Sequence, residues 1–329
     1  MAARQTPQGM PELSKQNVVV RRLCVESVDI RSFELVAADG QALQPFEAGA
    51  HIDVHFDDGL IRQYSLINAT DTDGSYRIAI KLEPASHGGS SRMHRLAVGD
   101  ALAVSLPRNN FPLDPAASHT MLFAGGIGIT PLLSMARRLM ADGRSFSLDY
   151  FARSREALAF GREIGTGPFT SRSRLYLGCD GAATRAELAG RIDTAPPGTH
   201  VYACGPTPFM QTVRDLVAAK SDLVLHLEYF AADPALADLP SGSFRVNLAK
   251  SDRTVFVGAD QTIVEALLAA GIEVATSCEQ GVCGTCLTTV LAGRPDHRDM
   301  LLTEEEQQAG DRMLLCVSRC LDQELVLDL

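Results

Sequence analysis

The sequence predicts a multidomain chain: an antiparallel β-barrel, then an α/β domain with a parallel sheet, then a small α+β domain. Three observations predict it. Residues 17–113 hold short runs rich in Val, Ile and aromatics, broken by Gly/Asp turn signals. Residues 114–232 alternate apolar strands with helical patterns. The final segment, 244–329, concentrates five of the eight cysteines.

Each element has a local reason. Residues 1–16 are polar and unpatterned, which predicts a flexible N-terminus. Runs at 17–25, 52–56, 76–82 and 101–106 read as barrel strands, with turns at Asp57-Asp58-Gly59 and Asp71-Thr72-Asp73-Gly74. Pro107 and Pro112 close the segment. A strand at 119–124 leads into a glycine turn at 125–128 and a helix at 130–141. Thr130 is its expected cap, Pro131 its first residue, and Gly143 its stop. Strands at 147–152 and 200–203 and a helix at 208–220 complete the pattern. Residues 233–243, with Asp233-Pro234, Leu239-Pro240 and Ser241-Gly242-Ser243, read as a linker.

Composition excludes several function classes. Hydrophobic content of 46% and charged content of 21% are those of a globular protein. A net charge of −10 argues against nucleic acid, whose phosphates need clustered Lys and Arg. No run of 18 apolar residues exists to span a membrane, and the start of the chain lacks a signal-peptide core. The cytoplasm is the expected location. Residues 242–329 carry 14 acidic and 7 basic side chains, a candidate docking face for a basic partner or simply a solvated acidic surface.

The strongest motif is Cys278, Cys283 and Cys286 in C-x4-C-x2-C spacing, with Cys316 after 29 further residues. That is the plant-type arrangement in which four thiolates hold a [2Fe-2S] cluster. Gly281 and Gly284 let backbone N–H groups turn toward sulfur, and Ser277 and Thr285 offer hydroxyls. A zinc site uses two C-x2-C pairs or mixed Cys/His, and only one such pair is present. Cys320 competes with Cys316, but Cys316 lies in the apolar Leu314-Leu315-Cys316-Val317 run.

A second motif is Arg62-Gln63-Tyr64-Ser65. Tyr64 can wall a flavin ring, Ser65 donate to it, and Arg62 neutralise a phosphate. Gly88, Gly89 and Ser90 open a helix whose free amides suit the same phosphate. On its own the motif reads more readily as a surface arginine and a core tyrosine; the other motifs give it weight. The third is a strand–turn–helix containing Gly125, Gly126, Gly128 and Thr130, which places amides beneath a pyrophosphate. Cys204-Gly205-Pro206 repeats the strand-to-helix transition and can bring a small thiol near a nicotinamide; a buried structural cysteine is the alternative. Arg153 and Ser154, followed by Arg155, stand where an adenosine ribose should lie. Two arginines there either hold a 2′-phosphate or are solvated.

Together these motifs resemble the phthalate dioxygenase reductase family of the ferredoxin–NADP reductase superfamily, and the chain is similar to vanillate demethylase reductases. The resemblance runs from about Val18 to Leu329. It includes Ser105-Leu106-Pro107-Arg108-Asn109, Phe111-Pro112-Leu113-Asp114, Asp296-His297-Arg298-Asp299 and the C-terminal Glu324-Leu325-Val326-Leu327-Asp328-Leu329. It implies FMN as the flavin, domains in the order FMN, NAD and β-grasp ferredoxin, NADH with NADPH as the alternative, and a Rieske-type oxygenase as acceptor. By the same resemblance Ile80 and Lys81 are further flavin contacts, Thr130 faces flavin or nicotinamide, and Phe230 is the aromatic residue near the flavin. The stretch Arg153-Ser154-Arg155 lacks the acidic residue some relatives have.

The expected reaction passes hydride from NAD(P)H to the flavin, then single electrons through the cluster. The chain's work is orientation, so Ser65, Cys204 and Phe230 are expected to position the reactants and no general base is assigned. Rival readings are a reductase for a cytochrome P450 or another monooxygenase, a redox-sensing protein without turnover, and a structural subunit with a vestigial flavin domain. A chain of this design can work as a monomer. The stretch at 296–299 serves interdomain contact or the cluster's surroundings, or is a solvated loop.

Overall fold

A computed structural model describes residues 15–69, 74–83, 88–232, 236 and 239–329. The expected flexible N-terminus, except for Lys15 and Gln16, lies outside the described residues. So does part of the 233–243 linker. The chain forms two compact units, one spanning 15–230 and one containing 231–329.

The larger unit begins with six antiparallel strands: β1 (Lys15–Val25), β2 (Ile30–Ala37), β3 (His51–His55), β4 (Ile61–Ser65), β5 (Tyr76–Lys81) and β6 (Ala101–Ser105). Their order is β4-β3-β6-β1-β2-β5, and a Leu66–Ile78 bridge joins the two edges into a barrel. Closure removes the exposed edge that an open sheet would leave. Val18, Val20, Phe33, Leu35, Ile52, Val54, Tyr76 and Ile78 fill its interior, on alternating positions of their strands. A short helix, α1 (Gly89–Met93), follows β5. β2 and β4 were not expected as strands. Their sequences mix charged with apolar residues, and pairing with neighbours, β1 and β5 for β2 and β3 for β4, makes them strands.

The parallel sheet is built from β7 (His119–Gly125), β8 (Phe146–Ala152), β9 (Ser173–Leu177), β10 (Thr199–Cys204) and β11 (Val224–Glu228), with α2 (Ile129–Ala141), α3 (Gly161–Gly165), α4 (Gly181–Asp193) and α5 (Thr207–Ala218). Strand order is β11-β10-β7-β8-β9. The chain leaves β7 toward β8 and β9, then returns to the other side of β7 as β10. The crevice above the C-terminal ends of β7 and β10 is therefore the topological switch point, where open α/β sheets bind ligands. Barrel residues Ile30, Ala48, Ile67 and Ala79 share one core with Leu132, Leu133 and Met135 of α2.

Two details of α2 correct the expectation. The cap residue is Gly128 without a side-chain bond, so Thr130 lies inside the first turn and donates to Ile127 O at 3.0 Å. Pro131 is the third helical residue, still within the turn whose amides lack partners. Gly143, at φ 66°, does follow the helix in the left-handed conformation.

The smaller unit carries β12 (Phe244–Leu248), β13 (Arg253–Val257), β14 (Leu287–Ala292), β16 (Arg312–Leu314) and β18 (Glu324–Leu327) in the order β13-β12-β18-β14-β16; β15 (Pro295–Asp296) pairs with β17 (Arg319–Cys320). The helix Ile263–Ala269 packs Ile263, Val264 and Leu267 onto this sheet, and its start is fixed by a capping box between Thr262 and Glu265.

Candidate redox sites

Four thiols gather in the smaller unit. Residues 278–286 form an irregular loop before β14, and Cys316 follows β16. The loop turns through Glu279, Gly281 and Gly284, all at positive φ. At Gly281 a side-chain carbon would lie 2.6 Å from Val317 and 3.1 Å from Asp299 Cα, so this turn needs glycine for space as well as conformation. It aims amides at sulfur. Gln280 N donates to Cys278 Sγ at 3.3 Å, Thr285 N to Cys283 Sγ at 3.4 Å, and the Gly281 amide to Cys316. The Thr285 hydroxyl lies 3.3 Å from the Cys283 sulfur.

Among the described residues no group of three or more His, Cys, Asp or Glu side chains is arranged to hold a single metal ion. The thiols fall instead into two hydrogen-bonded pairs, Cys278 with Cys283 and Cys286 with Cys316. Two pairs suit two irons, one per pair. The bond from Cys278 is the main cause that holds Cys283 down at about 5, helped by Thr285 and opposed by burial. Cys286 is lowered likewise by Cys316. The same bonds, with burial, raise Cys278 and Cys316, so each pair holds one thiol that ionises readily beside one that keeps its proton. Cys320 stands apart, its sulfur accepting from Asp322 N at 3.3 Å.

The 296–299 stretch is not a solvated loop. Arg298, 6% exposed, donates to the carbonyls of Leu239 and Pro240 at 3.2 and 2.8 Å, to Ser241 Oγ at 3.0 Å, and to Asp296 at 2.7 Å. Asp299 accepts from the amides of Leu301 and Leu302, and Met300 N donates to Gly281 O. The stretch thus ties the end of the linker and the cysteine loop to one turn.

In the barrel, β4 places Arg62 and Tyr64 on one face and Gln63 and Ser65 on the other. The Arg62 side chain lies over Gly89, where a side-chain carbon would sit 2.6 Å from Arg62 Cγ. Gly88, at φ 93°, begins α1. The arginine and the Gly88-Gly89-Ser90 turn therefore meet as the motif reading requires, although Ser90 Oγ already accepts from Glu83 N at 3.1 Å. Lys81 is ion-paired with Glu83. Ile80 is 2% exposed and its side chain belongs to the barrel core. Burial pushes the Tyr64 hydroxyl well above its usual range.

Behind Gln63 and Ser65 lies a network that motif reading missed. Register pairs Gln63 with Asp53 and Ser65 with His51. Asp53 is fully buried, accepts from Gln63 Nε2 at 3.1 Å, and is clasped by Arg108 Nη2 at 2.8 and 2.7 Å. Burial first, then Arg108, hold His51 down at about 4 against the pull of Asp53. Arg108 was visible in the Ser105–Asn109 resemblance, without its partner.

At the switch point the backbones of two strand-to-helix turns touch. A side-chain carbon on Gly128 would lie 2.1 Å from Cys204 O, and one on Gly205 would lie 3.0 Å from Gly125 Cα. Gly126 takes φ 56°. Pro206 starts α5 in extended conformation. Cys204 is 1% exposed and its thiol is raised by burial, then by Glu228, its partner across β10 and β11. Burial pushes Glu228 up to about 8, and its buried Oε2 has no hydrogen-bond partner among the described residues. Sequence reading missed Glu228, whose only signal was its place two residues before Phe230. Phe230 itself is 42% exposed. Beyond β8, Arg153 is exposed with Asp29 at 3.8 Å, Ser154 bonds Glu156, and Arg155 is exposed.

Comparison with known proteins agrees with this layout. Residues 17–112 match the model of the oxidoreductase FAD-binding domain, and 246–321 that of the 2Fe-2S iron-sulfur cluster binding domain. The chain is 44% identical over 315 residues to the vanillate O-demethylase oxidoreductase of Pseudomonas sp. (strain HR199 / DSM 7063), covering 95% of this chain and 99% of that one. The solved phthalate dioxygenase reductase superposes with a TM-score of 0.72 at 40% identity, covering 96% and 98% of the two chains. An intact self-sufficient cytochrome P450 monooxygenase gives a TM-score of 0.85 at 36% identity over 99% of this chain; the chain spans 43% of that protein's length. The barrel with its flavin motif, the switch-point glycines and the paired thiols are the parts of one design, and the chain belongs to the phthalate dioxygenase reductase family of iron–sulfur flavoprotein oxidoreductases.

Proposed function

We propose that the chain is the reductase component of a Rieske-type aromatic oxygenase system, using NADH, FMN and a [2Fe-2S] cluster held by Cys278, Cys283, Cys286 and Cys316. The observation that carries this reading is the pairing of the four thiols in a chain whose other unit joins a flavin-motif strand to a nucleotide-type switch point. The flavin, when bound, takes two electrons as hydride and the cluster carries one at a time, which is the conversion an oxygenase requires.

The chain's residues bind and orient. Arg62 with the Gly88, Gly89 and Ser90 turn holds a terminal phosphate, which suits FMN. Tyr64 walls the ring, and Ser65, backed by His51, donates to it. Lys81 and the Ile80 backbone complete the rim. The amides at Gly125, Gly126 and Gly128 and the first turn of α2 at Thr130 take the nucleotide's pyrophosphate. Cys204, Gly205, Pro206 and Phe230 shape the nicotinamide side, with Glu228 paired beside Cys204 across β10 and β11. Arg153, 3.8 Å from Asp29 and exposed, and Ser154 flank the ribose; the family resemblance supports NADH as the preferred donor, with NADPH as a second.

The acceptor reading rests on the vanillate and phthalate relatives. The acidic surplus of residues 242–329 supports steering toward a basic docking patch. The eight free cysteines favour a reducing cytoplasm, and a monomer suffices for the pathway. Among the described residues no helix is long and apolar enough to cross a membrane. The self-sufficient P450 likeness favours a second reading, delivery to a cytochrome P450.

Anaerobic titration with NADH and with NADPH tests the core of this reading, followed by visible absorbance, cold EPR and identification of the released flavin. Bleaching of both chromophores with a reduced [2Fe-2S] signal and released FMN is expected. A flavin that bleaches without a cluster signal refutes the electron path. Turnover with a purified Rieske oxygenase but not with a P450 decides between the acceptors.

A further inference from the structure

We propose that Ser134 and Arg137 are positioning residues for the hydride step, because they tie the helix of the nucleotide turn to the strand end of the flavin motif. The inference rests on the reading that flavin sits at 62–65 and nucleotide at 125–128. Helix α2 starts at that glycine turn. Four residues past Thr130, fully buried Ser134 donates to Asn68 O at 2.8 Å. Seven past it, Arg137 Nη1 donates to Ile67 O at 2.5 Å. These carbonyls follow Ser65 by only two and three residues. At about 1.5 Å per residue, the helix is a ruler of roughly 6 to 10 Å between the two motifs.

Both ends of the tie are held. Glu163, on α3, clasps Arg137 through Nε and Nη2 at 2.9 and 2.6 Å. On the barrel side, Leu66 N donates to Ala50 O and Ile67 N to Arg77 O, each at 2.8 Å. The Asn68 side chain donates to Ser75 O at 2.8 Å and accepts from Arg77 N at 3.0 Å. The shared apolar core around Ile67, Leu133 and Met135 supplies cohesion, but apolar contact is non-directional and tolerates sliding. Directional bonds to two consecutive carbonyls do not. Hydride transfer is the step that needs such register, since a shift of about 1 Å costs on the order of 10²-fold.

The test uses the full-length holoprotein with Ser134→Ala, Arg137→Met and Arg137→Lys. Flavin and iron content, melting temperature, the limiting rate of flavin bleaching by NADH, its apparent Kd and the isotope effect with 4-deuterated NADH are measured. Ser134→Ala is expected to keep both cofactors and bind NADH within about twofold, while the limiting rate falls roughly 3- to 10-fold with a larger isotope effect. Arg137→Met should fall further, and Arg137→Lys recover part of the loss. A Ser134→Ala limiting rate within twofold of wild type overturns the proposal, whatever its melting temperature. Wild-type flavin that neither nucleotide bleaches overturns the underlying site reading instead.

Discussion

Replacing Gly128 by alanine sets an undemanding backbone conformation against tertiary contact, and the contact decides the outcome. Gly128 has φ −60° and ψ −4°, a conformation any residue adopts, and it caps α2. At a cap position local propensity itself disfavours alanine against glycine, by about 1 kcal/mol or less. The added carbon would lie 2.1 Å from Cys204 O and 2.4 Å from Cys204 C, where ordinary contact starts at 3.4 Å. The two turns must separate by about 1.3 Å. Overpacking of this kind costs about 1–3 kcal/mol, and here both neighbours are backbone. The net expectation is a loss of about 1–3 kcal/mol, or several degrees in melting temperature for a unit of this size. The larger effect is functional, because displacing the nucleotide turn by over 1 Å costs about 10²-fold in hydride transfer. Stopped-flow flavin reduction, a thermal melt and cluster absorbance measure the three consequences together. Flavin and cluster content should stay at wild-type levels. A variant melting at or above wild type, with unchanged flavin reduction, would refute the argument that this glycine exists for backbone contact.

Three further outcomes follow from the geometry. Glu228 has a folded pKa raised from 4.5 to about 8 by burial, so its contribution to stability is complete below pH 4.5 and lost as pH rises toward 8. Glu228→Gln should therefore melt above wild type at pH 9 and lose that advantage near pH 5; parallel melting curves across this range would remove the assignment. Arg298→Ala strips Asp296, two carbonyls and Ser241 of their donor and should destabilise the smaller unit by about 3 kcal/mol, read from thermal loss of cluster absorbance, with Arg298→Lys recovering part. Cys316→Ser should abolish the reduced-cluster EPR signal, whereas Cys320→Ser should leave it intact; the reverse result would reassign the fourth ligand.

What the sequence by itself determined is what short-range chemistry dictates. Cys278, Cys283 and Cys286 lie in one loop of nine residues, so their spacing by itself points to three of the four proposed ligands. The glycine turns at 125–128 and 205 are equally local, because a strand-to-helix transition over a phosphate has few solutions. Strands β7, β8 and β10 were legible as apolar runs because both faces of a parallel sheet are covered. Tertiary structure decided the rest. Edge strands β9 and β11 and the polar helix α4 bury too little to show a period. Cys204 and Glu228 are neighbours only because β10 and β11 pair, and Asp53 meets Arg108 only because strand β3 lies beside residues 105–108. Thr130 has the chemistry of a cap, yet the close approach of Gly128 to Cys204 starts the helix earlier. The sequence left the 296–299 stretch open between a structural contact and a solvated loop, and folding decided it by bringing three carbonyl and hydroxyl acceptors around Arg298. Pairings across the chain depend on register and burial, which no window of neighbouring residues contains.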